Sequence, residues 1–288
     1  MRNIVTVLVG LFLLSQIATA KARKDSEQRC TADELSFEVA GGYLVVVDGS
    51  IGNLHGLKFV LDTGATHSAV SNKVTNQLGL QRITGKVFNI DKMVQTEWAA
   101  LPEVELGPIR ASHVPVMVTN LDYFKSLAIR VDAVIGLDLL RQRNFSIDFS
   151  EKKLRFGQME TGRHSVPMVS DDISLRVEAE ANGRLVHMIL DSGAPGPMFY
   201  EERLENRAVD YRIEEEDYGY RINGVLRLTR ARVRKLQLGG NEIEHTIFLA
   251  HSPTKGVMDG VDGFLGLTAL KARRINFDFE TNTLSWSN

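Results

Sequence analysis

The sequence predicts a mainly β protein made of two related, β-barrel-like lobes, and three observations carry that expectation. Residues 134–156 (VIGLDLLRQRNFSIDFSEKKLRF) and 264–286 (FLGLTALKARRINFDFETNTLSW) align without a gap at a constant offset of 130. Upstream, residues 59–65 (FVLDTGA) and 188–194 (MILDSGA) align in the same order at an offset of 129. Strand-like alternation recurs beside tight-turn signals: Leu175, Val177 and Ala179 alternate with Arg176, Glu178 and Glu180 ahead of Asn182-Gly183. The repeat is far longer than the ~20–50 residues of solenoid units, so each copy is a lobe.

The elements follow in order. Residues 1–20 read as a secretory signal peptide: Arg2, an apolar run from Ile4 to Leu14, and a small-x-small end at Ala18-Thr19-Ala20. An uncleaved anchor is the alternative for this segment. Cleavage removes one cation and no acid, taking the net charge from −2 to −3, and implies a secreted or periplasmic protein. Residues 21–35 form a short leader holding Cys30, read as a spectator thiol. The first lobe is assigned to 36–158, a polar linker to 159–167 and the second lobe to 168–288.

Within the lobes, Tyr43 to Val47 and Leu57 to Leu61 form a hairpin, matched by Leu175 to Ala179 and Leu185 to Leu190. The return strand of each runs directly into Asp-Thr/Ser-Gly-Ala. Further hairpins are expected over 87–98 and 218–227, the second turning at Asn223-Gly224. Strands near 101–106 and 233–238 break at Gly107 and Gly239. An apolar-apolar-Gly step at Gly136 or Gly266 then leads into one short helix per lobe, and a last hairpin closes each unit.

Composition excludes several classes. With 43% hydrophobic and 24% charged residues, the chain is neither disordered, collagen-like nor polytopic. Its 34 Lys plus Arg against 36 Asp plus Glu lacks the basic excess of a nucleic-acid binder. Seven scattered histidines include no His-x-x-x-His pair, so neither a metal nor another cofactor is expected. Gly49-x-x-Gly52 lacks the strand–glycine loop–helix setting of a nucleotide site and reads as a hairpin turn.

Chemistry concentrates at Asp62 and Asp191. Each follows three apolar residues, Phe59-Val60-Leu61 and Met188-Ile189-Leu190. A lone buried carboxylate costs several kcal/mol unless paired or hydrogen-bonded. A pseudo-twofold between the lobes lets the two aspartates meet, share one proton and act as base and acid together. Thr63 and Ser192 supply hydroxyls able to bond across the lobes. Gly64 and Gly193 let a backbone N–H approach the carboxylates. A turn aspartate bonding only its own backbone is the bland reading, and the duplication argues against it.

These motifs, each followed 70–75 residues later by apolar-apolar-Gly, resemble the aspartic proteases. The two-lobed single chain is similar to pepsin, and the short lobes and the Ala after each Gly are similar to the retropepsins. The nearest likeness is to bacterial secreted retropepsin-like aspartyl proteases with both halves in one chain, from about Ser36 to Trp286.

The resemblance implies an acid-protease fold and an aspartic endopeptidase with Asp62 and Asp191 as the catalytic dyad. It also implies Thr63 and Ser192 as the cross-lobe hydroxyl pair, Gly64 and Gly193 at the turns, and Gly136 and Gly266 packed behind them. A peptide or protein substrate would lie in the inter-lobe cleft of a monomer, covered by the 87–98 and 218–227 hairpins. Phe88, Trp98, Tyr218 and Tyr220 stand as equal candidates for a flap aromatic. Pro195-Gly196-Pro197 departs from the family pattern and raises the question of how the second carboxylate is held.

Other features carry less. Asp148 and Asp278 alternate with apolar residues and read as outward-facing or turn-stabilising. His67, five residues after Asp62, reads as an exposed or packing side chain. Glu214 to Asp217 is a solvated acidic run, with a preference for basic substrates as the bolder reading. The rival function is a non-catalytic peptide-binding or inhibitor module on the same two lobes, which has no need of both Asp-Thr/Ser-Gly motifs.

Overall fold

The computed structural model describes residues 33–89, 92–171, 173–221, 224–251 and 258–288. The expected signal peptide and Cys30 lie outside them. The mainly β expectation holds: the described residues form a 13-stranded and a 10-stranded sheet with only short helical turns. No helix among the described residues is long and apolar enough to cross a membrane.

Each lobe is organised around the strand that delivers its aspartate. Leu54–Leu61 pairs antiparallel with Leu44–Ile51 and parallel with Ala133–Ile135. Arg184–Asp191 pairs antiparallel with Leu175–Ala181 and parallel with Gly263–Gly266. Beyond the Asp turns, Ala69–Ser71 and Pro197–Tyr200 return along the other side of those inserted strands. The carboxylate turn in each lobe therefore bridges two strands with a third wedged between them. All three residues of Ala133–Ile135 are buried, as suits a central strand enclosed by neighbours.

The two hairpins expected over 87–98 and 218–227 are longer than expected, Ile83–Asn89 with Lys92–Leu106 and Tyr211–Arg221 with Gly224–Val233. The acidic run is not free in the second hairpin. Glu214 pairs with Arg232 at 2.9 Å, while Glu215 and Glu216 pair with Arg230 and Arg227 of the opposite strand. Charge alternation across two strands of one hairpin accounts for this, and the run offers little unpaired charge to a basic substrate.

The terminal hairpins do not close their own lobes separately. Phe145–Asp148 pairs with Arg274–Asp278 in the register Ile147↔Ile275 and Phe145↔Phe277. One sheet thereby crosses the lobe boundary in the order His164–Pro167, Thr283–Ser287, Arg274–Asp278, Phe145–Asp148, Lys153–Phe156, Glu34–Ala40. Part of 159–167 thus serves as an outer strand of this sheet. The rings of Phe145 and Phe277 stack at 4.6 Å, and one apolar core continues through them from Phe59 and Leu61 to Leu190 and Trp286. A smaller apolar cluster lies in each lobe, around Leu44, Val60 and Phe124 in the first and around Ile189, Tyr200 and Phe264 in the second.

Two local expectations are corrected. Asp148 is buried rather than outward-facing, and its carboxylate accepts the N–H groups of Ser150 and Glu151, both at 3.0 Å. Asp278 accepts from Glu280 and Thr281 in the same way. Both are turn-stabilising, and pairing between the terminal hairpins removes the solvent face that alternation implied. Helical segments also number more than one per lobe: among the described residues the first lobe has Asn72–Gln77, Asp122–Leu127 and Leu137–Leu140, and the second has Glu201–Asn206 and Leu267–Leu270. Six residues are too few for a 3.6-residue period to show in sequence.

Candidate active site

The two Asp-Thr/Ser-Gly turns meet across the lobes through four reciprocal hydrogen bonds. The Thr63 N–H donates to Ser192 Oγ at 2.9 Å, and the Ser192 N–H donates to Thr63 Oγ1 at 3.0 Å. The Thr63 hydroxyl donates to the Leu190 carbonyl at 2.9 Å, and the Ser192 hydroxyl to the Leu61 carbonyl at 2.8 Å. Both side chains are buried, so each bond is sheltered from competing water. Each hydroxyl both donates and accepts across the boundary, which locks the two turns in one mutual register.

That register brings Asp62 and Asp191 together. Asp62 Oδ1 accepts the N–H groups of Gly64 at 2.9 Å and Ala65 at 3.1 Å. Asp191 Oδ1 accepts from Gly193 at 2.8 Å, and the Ala194 N–H also donates to the Asp191 carboxyl. Pro195 falls one residue past the last donor, so the second carboxyl is held as the first is. The glycines matter for space rather than for unusual backbone angles. A Cβ on Gly64 would lie 2.5 Å from the Asp191 carboxyl carbon, and one on Gly193 2.9 Å from that of Asp62.

Burial pushes both carboxyls above their ordinary range. Asp191 is driven well above it, because the neighbouring charge of Asp62 adds to burial. Asp62 rises less: it accepts a hydrogen bond from Asp191 and is further relieved by its two backbone donors. The pair can therefore share one proton between the two carboxyls.

Gly136 and Gly266 pack directly behind these turns. The Leu137 N–H donates to the Ala65 carbonyl at 2.8 Å, and the Gly266 N–H to the Gly196 carbonyl at 3.2 Å. A Cβ on Gly136 would come within 2.8 Å of the Ala65 carbonyl oxygen, and one on Gly266 within 2.6 Å of that of Ala194. Gly136→Ala or Gly266→Ala is accordingly expected to cost about 1–3 kcal/mol by overpacking. Thermal denaturation should show a Tm lowered by several degrees, and an unchanged Tm would contradict the packing.

Several residues near the site escaped sequence reasoning. Asp138 accepts the Ser68 N–H at 3.0 Å and its hydroxyl at 2.7 Å, while Ser68 Oγ accepts the Gly136 N–H at 3.0 Å. This network braces the first turn. The second lobe replaces it with a Thr268 hydroxyl donating to the Pro195 carbonyl at 2.7 Å. Buried Asp132 and Asp262 hold the delivering strands by accepting the N–H groups of Lys58 and His187. A Val-Asp-x-x-x-Gly repeat at 131–136 and 261–266 could have revealed them.

The phenols of Tyr43 and Tyr123 stand in the first lobe within reach of the dyad's charge. Burial first pushes both above their ordinary range, followed by Asp191 and Asp62 at Tyr43 and by Asp62 and Tyr43 at Tyr123. Neither has a sequence signal. Among the flap candidates, Trp98 packs edge-on against His67 at 5.3 Å, and Tyr218 is exposed on an outer strand. The side chains of Phe88 and Tyr220 lie outside the described residues.

Residues 47–142 match the family described as gag-polyprotein putative aspartyl protease. The match takes in Asp62, Thr63, Gly64 and Gly136, covers about a third of the chain, and ends before Asp191. It supports a protease-type function. No curated protein matches the chain.

Proposed function

We propose that the chain is an aspartic endopeptidase whose dyad is Asp62 and Asp191. The observation that carries this reading is the placement of two coupled carboxyls side by side by the reciprocal Thr63–Ser192 bonds. Ionised Asp62 takes a proton from a water held between the carboxyls as the water oxygen bonds to the peptide carbonyl carbon. Asp191 gives its proton to the carbonyl oxygen, leaving a neutral gem-diol and a dyad with its charge exchanged. Collapse returns a proton from one diol hydroxyl to the dyad and delivers one to the leaving nitrogen, breaking the C–N bond. No covalent enzyme intermediate forms.

The substrate is a peptide or protein lying in the cleft between the lobes, beneath the hairpins 83–106 and 211–233. The enzyme acts as a monomer, because one chain supplies both aspartates. It is secreted or periplasmic, on the strength of the signal-like residues 1–20.

The test is cleavage of a peptide library by residues 21–288 across pH. Activity requires a singly protonated dyad, so it is lost in acid when Asp62 protonates and lost in base when Asp191 ionises. Both carboxyls are raised, and Ala65 and Ala194 bring no hydroxyl to stabilise the charged forms. The optimum therefore falls at mildly acidic to near-neutral pH. A folded protein inert at every pH would overturn the protease reading, and an optimum in strong acid would overturn the proton assignment.

A further inference from the structure

A cavity of about 470 Å³ opens on the second lobe, lined by Arg184, Arg203, Arg207, Asn206 and Asp262 among others. It is not the cleft. Arg184 begins the strand whose other end carries Asp191, and seven residues of extended chain span roughly 23 Å. Three guanidinium groups here face a single lining carboxylate.

The duplication provides an internal comparison. In the first lobe, buried Asp132 is neutralised by one arginine, with Arg130 Nε and Nη2 donating at 3.0 and 2.8 Å. In the second lobe Arg207 does the same for buried Asp262, with Nε donating at 2.9 Å and Nη2 also at 2.9 Å. One arginine thus meets the demand of each buried aspartate, and Arg184 and Arg203 are surplus to it. The short helices match cap to cap, Ser71 with Tyr200 and Leu78 with Arg207. This alignment puts His55, Val74 and Leu78 where the second lobe has Arg184, Arg203 and Arg207. Fully buried Val74 in the first lobe thus corresponds to an arginine in the second.

Two of the guanidiniums are also held in place. Arg203 donates to the carbonyls of Met258 and Val261, the latter at 2.6 Å, and lies 5.5 Å from the ring centre of Tyr200. Arg207 is clamped by Asp262, with His187 Nδ1 3.1 Å from its Nη2. Asp259, 3.8 Å from Arg203, is largely exposed and offsets little of the charge. Arg184 is exposed just after the Asn182-Gly183 turn and has no ion-pair partner among the described residues. Guanidinium charges held in place beside an exposed Arg184, unpaired among the described residues, suit a ligand that carries phosphate or carboxylate oxygens.

We propose that this cavity binds a small multiply charged oxyanion, separately from the catalytic cleft. The test is calorimetric titration of residues 21–288 with inorganic phosphate and with citrate at fixed ionic strength. At least one should bind, and the tighter of the two identifies a phosphate or a carboxylate ligand. Arg184→Glu, a substitution at an exposed position, should weaken binding about tenfold or more, as expected for loss of a charged hydrogen bond. Asp62→Asn should leave binding unchanged.

The same titrations followed by Tm separate site binding from the general stabilising effect of these salts, which both proteins share. The proposal fails if neither anion binds, if Arg184→Glu binds as tightly as the parent, or if Asp62→Asn abolishes binding.

Discussion

Asp62→Asn and Asp191→Asn should each lower the peptide-cleavage kcat by roughly 10²–10⁴-fold or more, because each removes one proton-transfer partner. Under the proposed mechanism Asp62→Asn takes away the base. Asp191→Asn leaves an amide that can donate to Asp62 but cannot release its proton. The same variant should move stability the opposite way. A carboxyl whose folded pKa is raised contributes stability that is fully present below its unfolded pKa. That stability is lost as pH rises through the folded pKa. Asp191 is the more strongly raised of the pair, so the parent protein should lose stability as pH rises from the ordinary carboxylate range towards neutrality. The amide introduced by Asp191→Asn reproduces the donor role of the protonated acid without ionising. At neutral pH Asp191→Asn should therefore raise Tm by a few degrees, with little change near pH 4. Retained cleavage in either variant would overturn the shared dyad. Equal Tm differences at both pH values would overturn the placement of the proton on Asp191.

Thr63→Val should be the most damaging near-isosteric change outside the dyad. It leaves the Ser192 N–H without its acceptor and the Leu190 carbonyl without its donor, both in buried surroundings. Each orphaned group costs about 1–3 kcal/mol. The expected loss is roughly 2–4 kcal/mol, a Tm fall of about 5–15 °C. Activity should fall as well, since the two carboxyl turns lose their common register. Ser192→Ala should act similarly through the Thr63 N–H and the Leu61 carbonyl. Thr63→Ser keeps the oxygen and should restore most of both losses. If Thr63→Val remains as stable and active as the parent, the cross-lobe lock does not organise the site.

Much of the architecture was legible because the chain states it twice. Matching Asp-Thr/Ser-Gly-Ala blocks and matching glycine steps identify the repeated unit, and alternation with turn dipeptides identifies strands. Both signals are local or rest on comparing the chain with itself. The interlocking of the terminal hairpins was not legible, because each hairpin is a complete local unit and nothing in its sequence names its partner. Burial of Asp148 follows from that pairing and was missed for the same reason. The helices Asn72–Gln77 and Glu201–Asn206 were too short to register a period.

At the site, residue identity and order were enough to pick out the groups with the right chemistry: two carboxylates after apolar strands, two hydroxyls beside them, and glycines where space is short. How these groups act on one another was set by packing in three dimensions. Whether Thr63 Oγ1 meets the Ser192 N–H depends on the packing of two lobes whose contacting residues lie 129 positions apart. The same packing buries the two carboxyls side by side and raises both, so that they share a proton, an interaction neither motif carries alone. The three arginines beside Asp262 come from two elements, Arg184 from a strand and Arg203 and Arg207 from one short helix and its cap, so no single spacing in the chain marks all three. Proton sharing and charge clustering depend on distance and burial, and these arise when segments remote in sequence are packed together.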